Sequence, residues 1–215
     1  MMRAWMKLVL ATHNSGKIFE FRQILADINS ISVRSLLDYP TIPDIIENRR
    51  TFSGNSIKKA IEVSKHTNTI TIADDSGLEV DALNGEPGVL SARYAGKNAT
   101  PDQLITKVLK GLEEKPNMKR TARFRCAISL VKPSCADEMV IEAVEGICEG
   151  EIALEKRGEC GFGYDPIFVP LGYNQTFAEL GAEIKNKISH RAKALKIMMK
   201  LIRSSRKESA VTKGG

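Results

Sequence analysis

The 215-residue sequence has few of the residues that build disulfide-rich or metal-stapled proteins. It contains 4 cysteines and 3 histidines, and no two cysteines stand close enough to form a Cys-x-x-Cys pair. Because structural zinc usually needs such close ligand pairs, the pattern favours reduced, mostly buried thiols. No run approaches the roughly 18 apolar residues that cross a bilayer, and the N-terminus lacks the apolar stretch of a signal peptide. We therefore expect a cytoplasmic protein without a membrane partner.

Positive charge is concentrated at the end of the chain. The formal net charge is +6, from 32 Lys+Arg and 26 Asp+Glu. Residues 185–215 hold ten of the basic residues and one acid, so the rest of the chain carries a net charge of −3. A basic isoelectric point indicates a nucleic-acid partner when the body of the protein is basic. We therefore expect no nucleic-acid partner; the alternative is a binding module that uses only the basic C-terminal helix.

Hydrophobic periodicity predicts helices and strands in a mixed order. Strands are predicted at residues 7–12, 69–73, 121–131 and 139–149, the last two as a hairpin. Helices are predicted at residues 18–28, 53–67, 100–112 and from 189 onward. In the second helix, the side chains expected to face the protein interior are those of Ile57, Ala60, Ile61 and Ser64. The order favours an α/β fold with a mixed sheet, flanking helices and two lobes. We expect residues 1–204 to form this single domain and residues 205–215 a polar, disordered tail.

Three polar, glycine-containing segments stand beside predicted strands, where α/β folds bind ligands. The first is Thr12-His13-Asn14-Ser15-Gly16-Lys17, between a strand and a helix. Backbone N–H groups, the helix dipole and the Lys17 ammonium could bind an anion there. The segment is not the G-x-x-x-x-G-K-[ST] phosphate loop, and many ordinary strand-to-helix turns look like it. These residues alone leave both interpretations open.

The second segment, Asp74-Asp75-Ser76-Gly77, follows the predicted strand at 69–73. Adjacent side chains of an extended chain point to opposite sides, so the two carboxylates need not have the same function. An ionised aspartate could bind Mg²⁺ or accept a proton from an attacking water. The alternative is an Asx turn that ends the strand.

The third segment is Gly161-Phe162-Gly163-Tyr164-Asp165-Pro166, with Lys185, His190 and Arg191 downstream. Aromatic side chains among glycines suit a planar ring, and the basic side chains supply hydrogen-bond donors. His190 could instead make a local hydrogen bond at a helix start. The later basic residues, 193–207, are interpreted as a solvated helix face.

Together these segments resemble the inosine triphosphate pyrophosphatase family, which hydrolyses noncanonical purine nucleoside triphosphates. The resemblance covers residues 7–202. It rests on six segments in the family's order, at residues 10–17, 73–78, 85–88, 91–94, 161–166 and 188–191. It implies a nucleotide-binding cleft between the lobes, hydrolysis of ITP, dITP or XTP to the monophosphate and pyrophosphate, a homodimer and a requirement for Mg²⁺.

The resemblance also implies functions for individual residues. Asp75 would be the proton acceptor and a metal ligand, and Ser76 would contact the substrate. The triphosphate would be bound by Thr12, His13, Asn14, Ser15, Gly16 and Lys17. The nucleotide, largely its base, would be bound by Phe162, Gly163, Tyr164, Asp165, Lys185, His190 and Arg191.

One position departs from the family's pattern. The family's helix usually begins Phe-x-Glu-Asn, with the glutamate as a metal ligand, and here Gly54 stands in its place. The metal would then rely on Asp75, the phosphates and water, with Asp74 or Glu47 helping. We expect Gly54→Glu to lower the Mg²⁺ concentration needed for half-maximal rate. The missing carboxylate also leaves two alternatives, a catalytically weakened nucleotide-binding protein and a related pyrophosphatase with another base preference.

Overall fold

A six-stranded mixed sheet is the centre of the computed structural model, which describes residues 6–26, 31–133 and 140–211. Its strands are β1 (Met6–Leu10), β2 (Ile31–Ser35), β3 (Thr71–Val80), β4 (Thr121–Lys132), β5 (Val140–Ile152) and β6 (Phe168–Pro170). Their order in the sheet is β2-β1-β3-β4-β5-β6. Strand β1 pairs in parallel with β2 and β3, whereas the other neighbours are antiparallel. The mixed sheet and the hairpin β4–β5 are confirmed.

Five α-helices flank the sheet within the same described ranges. They are α1 (Ser15–Leu25), α2 (Phe52–Thr67), α3 (Pro101–Glu113), α4 (Phe177–Ile188) and α5 (His190–Val211). Side-chain oxygens of Asn14, Thr51 and Thr100 cap the first three, because they accept N–H groups that have no partner inside the helix. Helix α5 extends to Val211, into the segment expected to be a tail. None of the described helices is long and apolar enough to cross a membrane.

Side chains that alternate along the strands fill both faces of the sheet. Helices α1 and α5 cover one face in a cluster that includes Leu10, Phe21, Ile72, Ile128 and Leu195. Helix α2 covers the other face in a cluster that includes Val9, Ala60, Val63, Ala73 and Val131. A third cluster joins α3, α4 and β6 to the rest of the sheet through Leu78, Leu104, Phe124, Phe168 and Phe177. Consequently Asp74 lies on the side of α1 and α5, and Asp75 on the side of α2.

Strand β3 does not end where the sequence pattern predicted. The Asx turn at 74–77 is wrong, because these residues continue the strand and pair with Arg125–Ile128 of β4. Gly77 lies under a 3₁₀ turn at Gly88–Arg93, where a Cβ would come within 2.4 Å of the Gly88 carbonyl oxygen. The glycine therefore serves close packing and not a turn. The two aspartates are fixed by sheet pairing.

The inward face of α2 is more polar than predicted. Ala60 and Ser64 are buried as expected, but Ile57 and Ile61 are only half-buried. The face also buries Asn55, Ser56 and Lys59, each of which has a hydrogen-bond partner.

Three of the cysteines lie in the described part of the chain. Cys126 and Cys148 are buried and Cys160 is exposed, and all three are free thiols. Cys135 lies outside the described residues.

Candidate active site

A cavity of about 460 Å³ brings together most of the residues that the sequence predicted. A volume of this size suits a small organic ligand. The predicted residues that line it are Thr12, His13, Asn14, Lys17, Asp75, Ser76, Phe162, Gly163, Tyr164, Asp165, Lys185, His190 and Arg191. Ser15 and Gly16 belong to the same loop but do not line the cavity. Gly16 instead lies beneath the Phe162 ring, where a Cβ would come within 2.5 Å of a ring carbon.

The loop from Thr12 to Lys17 presents the N-terminus of α1 to the cavity. Asn14 caps the helix, since its Oδ1 accepts the Lys17 N–H at 2.9 Å. The Thr12 hydroxyl in turn accepts the Asn14 N–H at 3.1 Å. These contacts order the first turn of a helix whose positive dipole end faces the cavity, which is an arrangement that binds anions.

Asp74 is a buried anion that holds two cations in place. It is 1% exposed, and its Oδ2 lies 3.0 Å from both the Lys17 Nζ and the Arg191 Nη2. The Ser76 hydroxyl donates to the same oxygen at 3.2 Å. Burial opposes ionisation, yet the Lys17 and Arg191 charges hold the pKa of Asp74 far below its usual range. Asp74 therefore stays ionised and orients cations that line the cavity.

Asp75 faces the opposite side and borders the cavity itself. Its Oδ2 accepts a hydrogen bond from the Asn55 Nδ2 at 2.9 Å, and its Oδ1 accepts the Ser76 N–H at 3.0 Å. Burial raises the pKa of Asp75, and the charge of Glu47 adds to the rise against the effect of the Lys59 ammonium. A carboxylate with a raised pKa beside a cavity is suited to accept a proton.

Glu47 and Lys59 also line the cavity, and the sequence did not single out Lys59. The Lys59 Nζ donates to the Glu47 carboxylate and, at 2.7 Å, to the Asp74 carbonyl oxygen. Burial opposes the charge, but the Glu47 and Asp75 carboxylates raise the pKa of Lys59. The available signal was helical spacing, because Asn55 and Lys59 are four residues apart on one face of α2.

A second group of buried charges lies beside the Phe162 ring. The Lys185 Nζ is 4.5 Å from the ring centroid and pairs with the carboxylates of Asp165 and Glu20. Glu20 also pairs with Arg191. Burial opposes its ionisation, but the charges of Arg191 and Lys185 lower the pKa of Glu20. Sequence reasoning missed Glu20, because only the apolar residues of this helix were used to recognise it.

His190 is a neutral ring at the start of α5. It stacks on Phe124 with 4.7 Å between ring centroids. Burial and the neighbouring Arg191 charge hold the pKa of His190 well below its ordinary value. Its Nδ1 has no hydrogen-bond partner among the described residues. A buried polar atom without a partner is uncommon, and here it belongs to a residue that lines the cavity.

Gly54 lies in the first turn of α2 and has no side chain that could reach the cavity. It is the third residue of α2, and its N–H donates to the Thr51 cap at 3.0 Å. A Cβ there would lie 3.0 Å from both the Thr51 Oγ1 and the Arg49 Cβ, and Gly54 does not line the cavity. Glutamate at the third position after a threonine cap forms a capping box, in which it folds back onto the cap. The segment before α2 brings two carboxylates to the cavity, Asp44 and Glu47, and Glu47 is the one that acts on the pKa of Asp75.

The described residues contain no cluster of three or more His, Cys, Asp or Glu side chains that could hold a metal. Two carboxylates, Glu47 and Asp75, face the cavity close enough to influence each other electrostatically. A metal bound there would need further ligands from the substrate or water.

Comparison with known proteins confirms the resemblance drawn from the six sequence segments. A model of the Ham1 family matches residues 8–201. The dITP/XTP pyrophosphatase of Desulforamulus reducens is 48% identical over 197 residues, covering 92% of this chain and 96% of that protein. The dITP/XTP pyrophosphatase of Bacillus subtilis is 48% identical over 194 residues, with 90% and 96% covered. The structure of a HAM1 protein from Coxiella burnetii matches with a TM-score of 0.82 at 43% identity, covering 93% of this chain and 99% of that one. The chain belongs to the Ham1 family.

Proposed function

We propose that this chain hydrolyses dITP, ITP and XTP to the nucleoside monophosphate and pyrophosphate. The observation that carries the proposal is the placement of Asp75, with its raised pKa, in one cavity with the N-terminus of α1 and several buried cations. The names of the relatives, dITP/XTP pyrophosphatase, support the same activity.

The chemistry requires that negative charge be offset where it grows. A triphosphate bound against the first turn of α1 would meet backbone N–H groups, Lys17 and Lys59. Asp75 would take the proton from a water that attacks the α-phosphorus, and pyrophosphate would leave. Lys17 is held by Asp74 and Lys59 by Glu47, so both ammonium groups are oriented before the substrate binds.

Base selection follows from the donors beside Phe162. Lys185 and Arg191 carry only N–H donors, so a ring atom placed against them must be an acceptor. Hypoxanthine and xanthine present a 6-oxo acceptor, whereas adenine presents a 6-amino donor. A site built around such a hydrogen bond rejects the unmatched base by up to about 10⁴-fold. Asp165 and Glu20 fix the Lys185 ammonium, which gives the donor a defined position.

The residues present fit a Mg²⁺ ion. Mg²⁺ typically takes one or two protein carboxylates and completes its shell with phosphate oxygens and water. Glu47 and Asp75 supply two carboxylates that line the same cavity. The charge of Glu47 raises the pKa of Asp75, as expected for two nearby groups of like charge. When bound, the ion would neutralise charge on the phosphates.

The resemblance further implies a homodimer, which we propose together with one domain over residues 1–204 and a location in the cytoplasm. We propose no nucleic-acid or membrane partner.

Pyrophosphate release across a nucleotide panel tests the function. We expect kcat/KM for dITP and XTP to exceed that for dATP by at least about 10²-fold, because the donors beside Phe162 leave a 6-amino group unpaired. Turnover should disappear when EDTA removes divalent ions and return with Mg²⁺. Equal kcat/KM for dATP, dGTP and dITP would contradict the proposed selectivity, and no pyrophosphate from any of them would contradict the activity.

Gly54→Glu tests whether a glutamate at position 54 would cap helix α2 or bind the metal. If position 54 belongs to a capping box, the substitution should stabilise α2 by up to about 1 kcal/mol, from higher helix propensity and the cap, less the cost of moving the Arg49 side chain away from the new Cβ. In a chain of this length that corresponds to an increase in Tm of up to about 2–4 °C. The Mg²⁺ concentration for half-maximal rate should not change, contrary to the expectation from sequence.

Glu47→Gln is the matched comparison. It keeps the side-chain volume but removes the carboxylate, so the Mg²⁺ requirement should rise by about 10-fold or more. For both variants, initial rates measured at increasing Mg²⁺ concentration give the Mg²⁺ requirement, and thermal unfolding gives Tm. A lower Mg²⁺ requirement in Gly54→Glu would restore position 54 as a metal ligand. The pair of results also bears on the weakened-catalysis alternative, which rests on the absence of a carboxylate at that position.

A further inference from the structure

Asn55 is a fully buried side chain that contacts the proposed proton acceptor. It is 0% exposed and stands on the inward face of α2. Its Nδ2 donates to the Asp75 Oδ2 at 2.9 Å, and its Oδ1 accepts the Arg49 N–H at 2.8 Å. Asn55 does not line the cavity. It therefore acts on any reaction there through Asp75 and not through the substrate.

The two hydrogen bonds fix which way the amide faces. The Arg49 N–H can only donate, so the atom opposite it must be the amide oxygen. The NH₂ group is then directed at Asp75, where an acceptor is required. Both ends of the side chain are used, and rotation of the amide would break both bonds in a buried place.

The alternative partner for Asp75 is the Lys59 ammonium. That group has three donors, of which Glu47 and the Asp74 carbonyl oxygen accept two. Its charge already acts on Asp75. A carboxylate free to rotate would move toward this cation and form a buried ion pair, which would leave it a poor acceptor for a proton from water.

We propose that Asn55 is a positioning residue that keeps the Asp75 carboxylate directed at the cavity and ties it to the segment that carries Glu47. That segment, residues 43–50, has no regular secondary structure. Asn55 holds it at Arg49, two residues beyond Glu47. One neutral amide thus connects Asp75 to the segment that carries Glu47, and both of these carboxylates line the cavity. The proposal rests on the proposed function, since it assigns Asn55 to the same reaction.

Asn55→Ala and Asn55→Asp test the proposal. The aspartate variant has the same shape and can keep the bond from Arg49, but it loses the donor to Asp75. We expect kcat for dITP to fall by about 10–100-fold in both, as for groups that orient a catalytic side chain. Affinity for a dITP analogue with an imido group at the α–β bridge, measured by calorimetry without divalent ions, should stay within about threefold of the original, because the side chains proposed to bind the phosphates and the base are untouched.

Ser56→Ala is the matched control. Ser56 is also 0% exposed on α2, and its hydroxyl bonds Ser129 at 2.7 Å without contacting Asp75. It should lose a similar amount of Tm and keep its kcat. Equal losses of kcat in Ser56→Ala and Asn55→Ala would overturn the proposal, as would a folded Asn55→Asp with kcat within threefold of the original. Failure of the proposed function would be seen separately, as no pyrophosphate from dITP with the unaltered chain.

Discussion

Asp75→Asn is expected to lower kcat for dITP by about 10³-fold, because general-base catalysis typically contributes 10²–10⁴-fold and a metal ligand is lost as well. Asparagine keeps the shape of the side chain but cannot accept a proton at neutral pH. Its NH₂ group would also face one of the two donors that now bond Asp75, the Asn55 amide or the Ser76 N–H. The substrate should still bind, since the predicted phosphate and base contacts lie on other residues.

The same variant should fold with about the stability of the unaltered chain. Burial raises the pKa of Asp75, which means that the folded protein disfavours its ionised form. A neutral amide removes that unfavourable charge, which offsets the hydrogen bond lost where its NH₂ group faces a donor, so Tm should stay about equal. Loss of activity with retained stability is typical of a residue kept for function. A fall in kcat of less than tenfold at saturating Mg²⁺ would show that another group accepts the proton.

Asp75→Glu is a useful companion variant. It keeps the carboxylate but moves it by one methylene in a place where Asn55 fixes the geometry. A displacement of about 1 Å can cost about 10²-fold in rate. We therefore expect activity between that of Asp75→Asn and the unaltered chain, measured as pyrophosphate release under the same conditions.

The parts of the fold that follow a strong local pattern could be predicted from the sequence. The hairpin β4–β5 has strict alternation, and α3 has a threonine cap followed by proline. Strand β2 was missed because it is an edge strand with alternate residues exposed, so its pattern is only weakly apolar. Helix α4 was missed although Thr176 and Glu179 form a capping box, because Gly181 interrupts the helical pattern with a positive φ.

The site shows where local pattern ends and pairing across the sheet begins. The site residues in the glycine-containing segments could be predicted from the sequence, because these segments stand beside predicted strands, where α/β folds bind ligands. Lys59 and Glu20 could not be predicted as site residues, because each is a polar residue on a helix that was recognised only from its apolar residues. Their partners come from distant parts of the chain, such as Glu20 with Lys185 and Arg191. The strand at Asp74 was misjudged for the same reason, because β4 supplies the pairing that continues it.

Asp74 and Arg191 belong to a chain of buried charges beneath the cavity. Arg191 is 1% exposed and pairs with Asp74 on one side and with Glu20 on the other. Lys17 also depends on Asp74. Such a network stabilises the fold only while every charge has its partner, since each member has lost its hydration.

Asp74→Ala should therefore destabilise the protein strongly. Removal of one partner of a buried ion pair costs about 3–5 kcal/mol, because the other charge is left uncompensated. In a chain of this length the Tm should fall by about 6–20 °C. The free energy of unfolding from urea titrations measures the effect. Asp81→Ala is the control, since Asp81 pairs with Arg123 at 2.9 Å on the surface and should cost less than about 1 kcal/mol.

A double-variant cycle identifies the cause of that loss. Arg191→Met removes the guanidinium but keeps a side chain of similar length. In the double variant with Asp74→Ala, both charges of this pair are absent, so neither is left without the other. If uncompensated charge is the cause, the double variant should lose at least about 1–3 kcal/mol less than the sum of the two single variants. Additive losses would mean that packing, and not charge, makes Asp74 important. Because Arg191 also lines the cavity, the cycle compares free energies of unfolding and not enzyme activities.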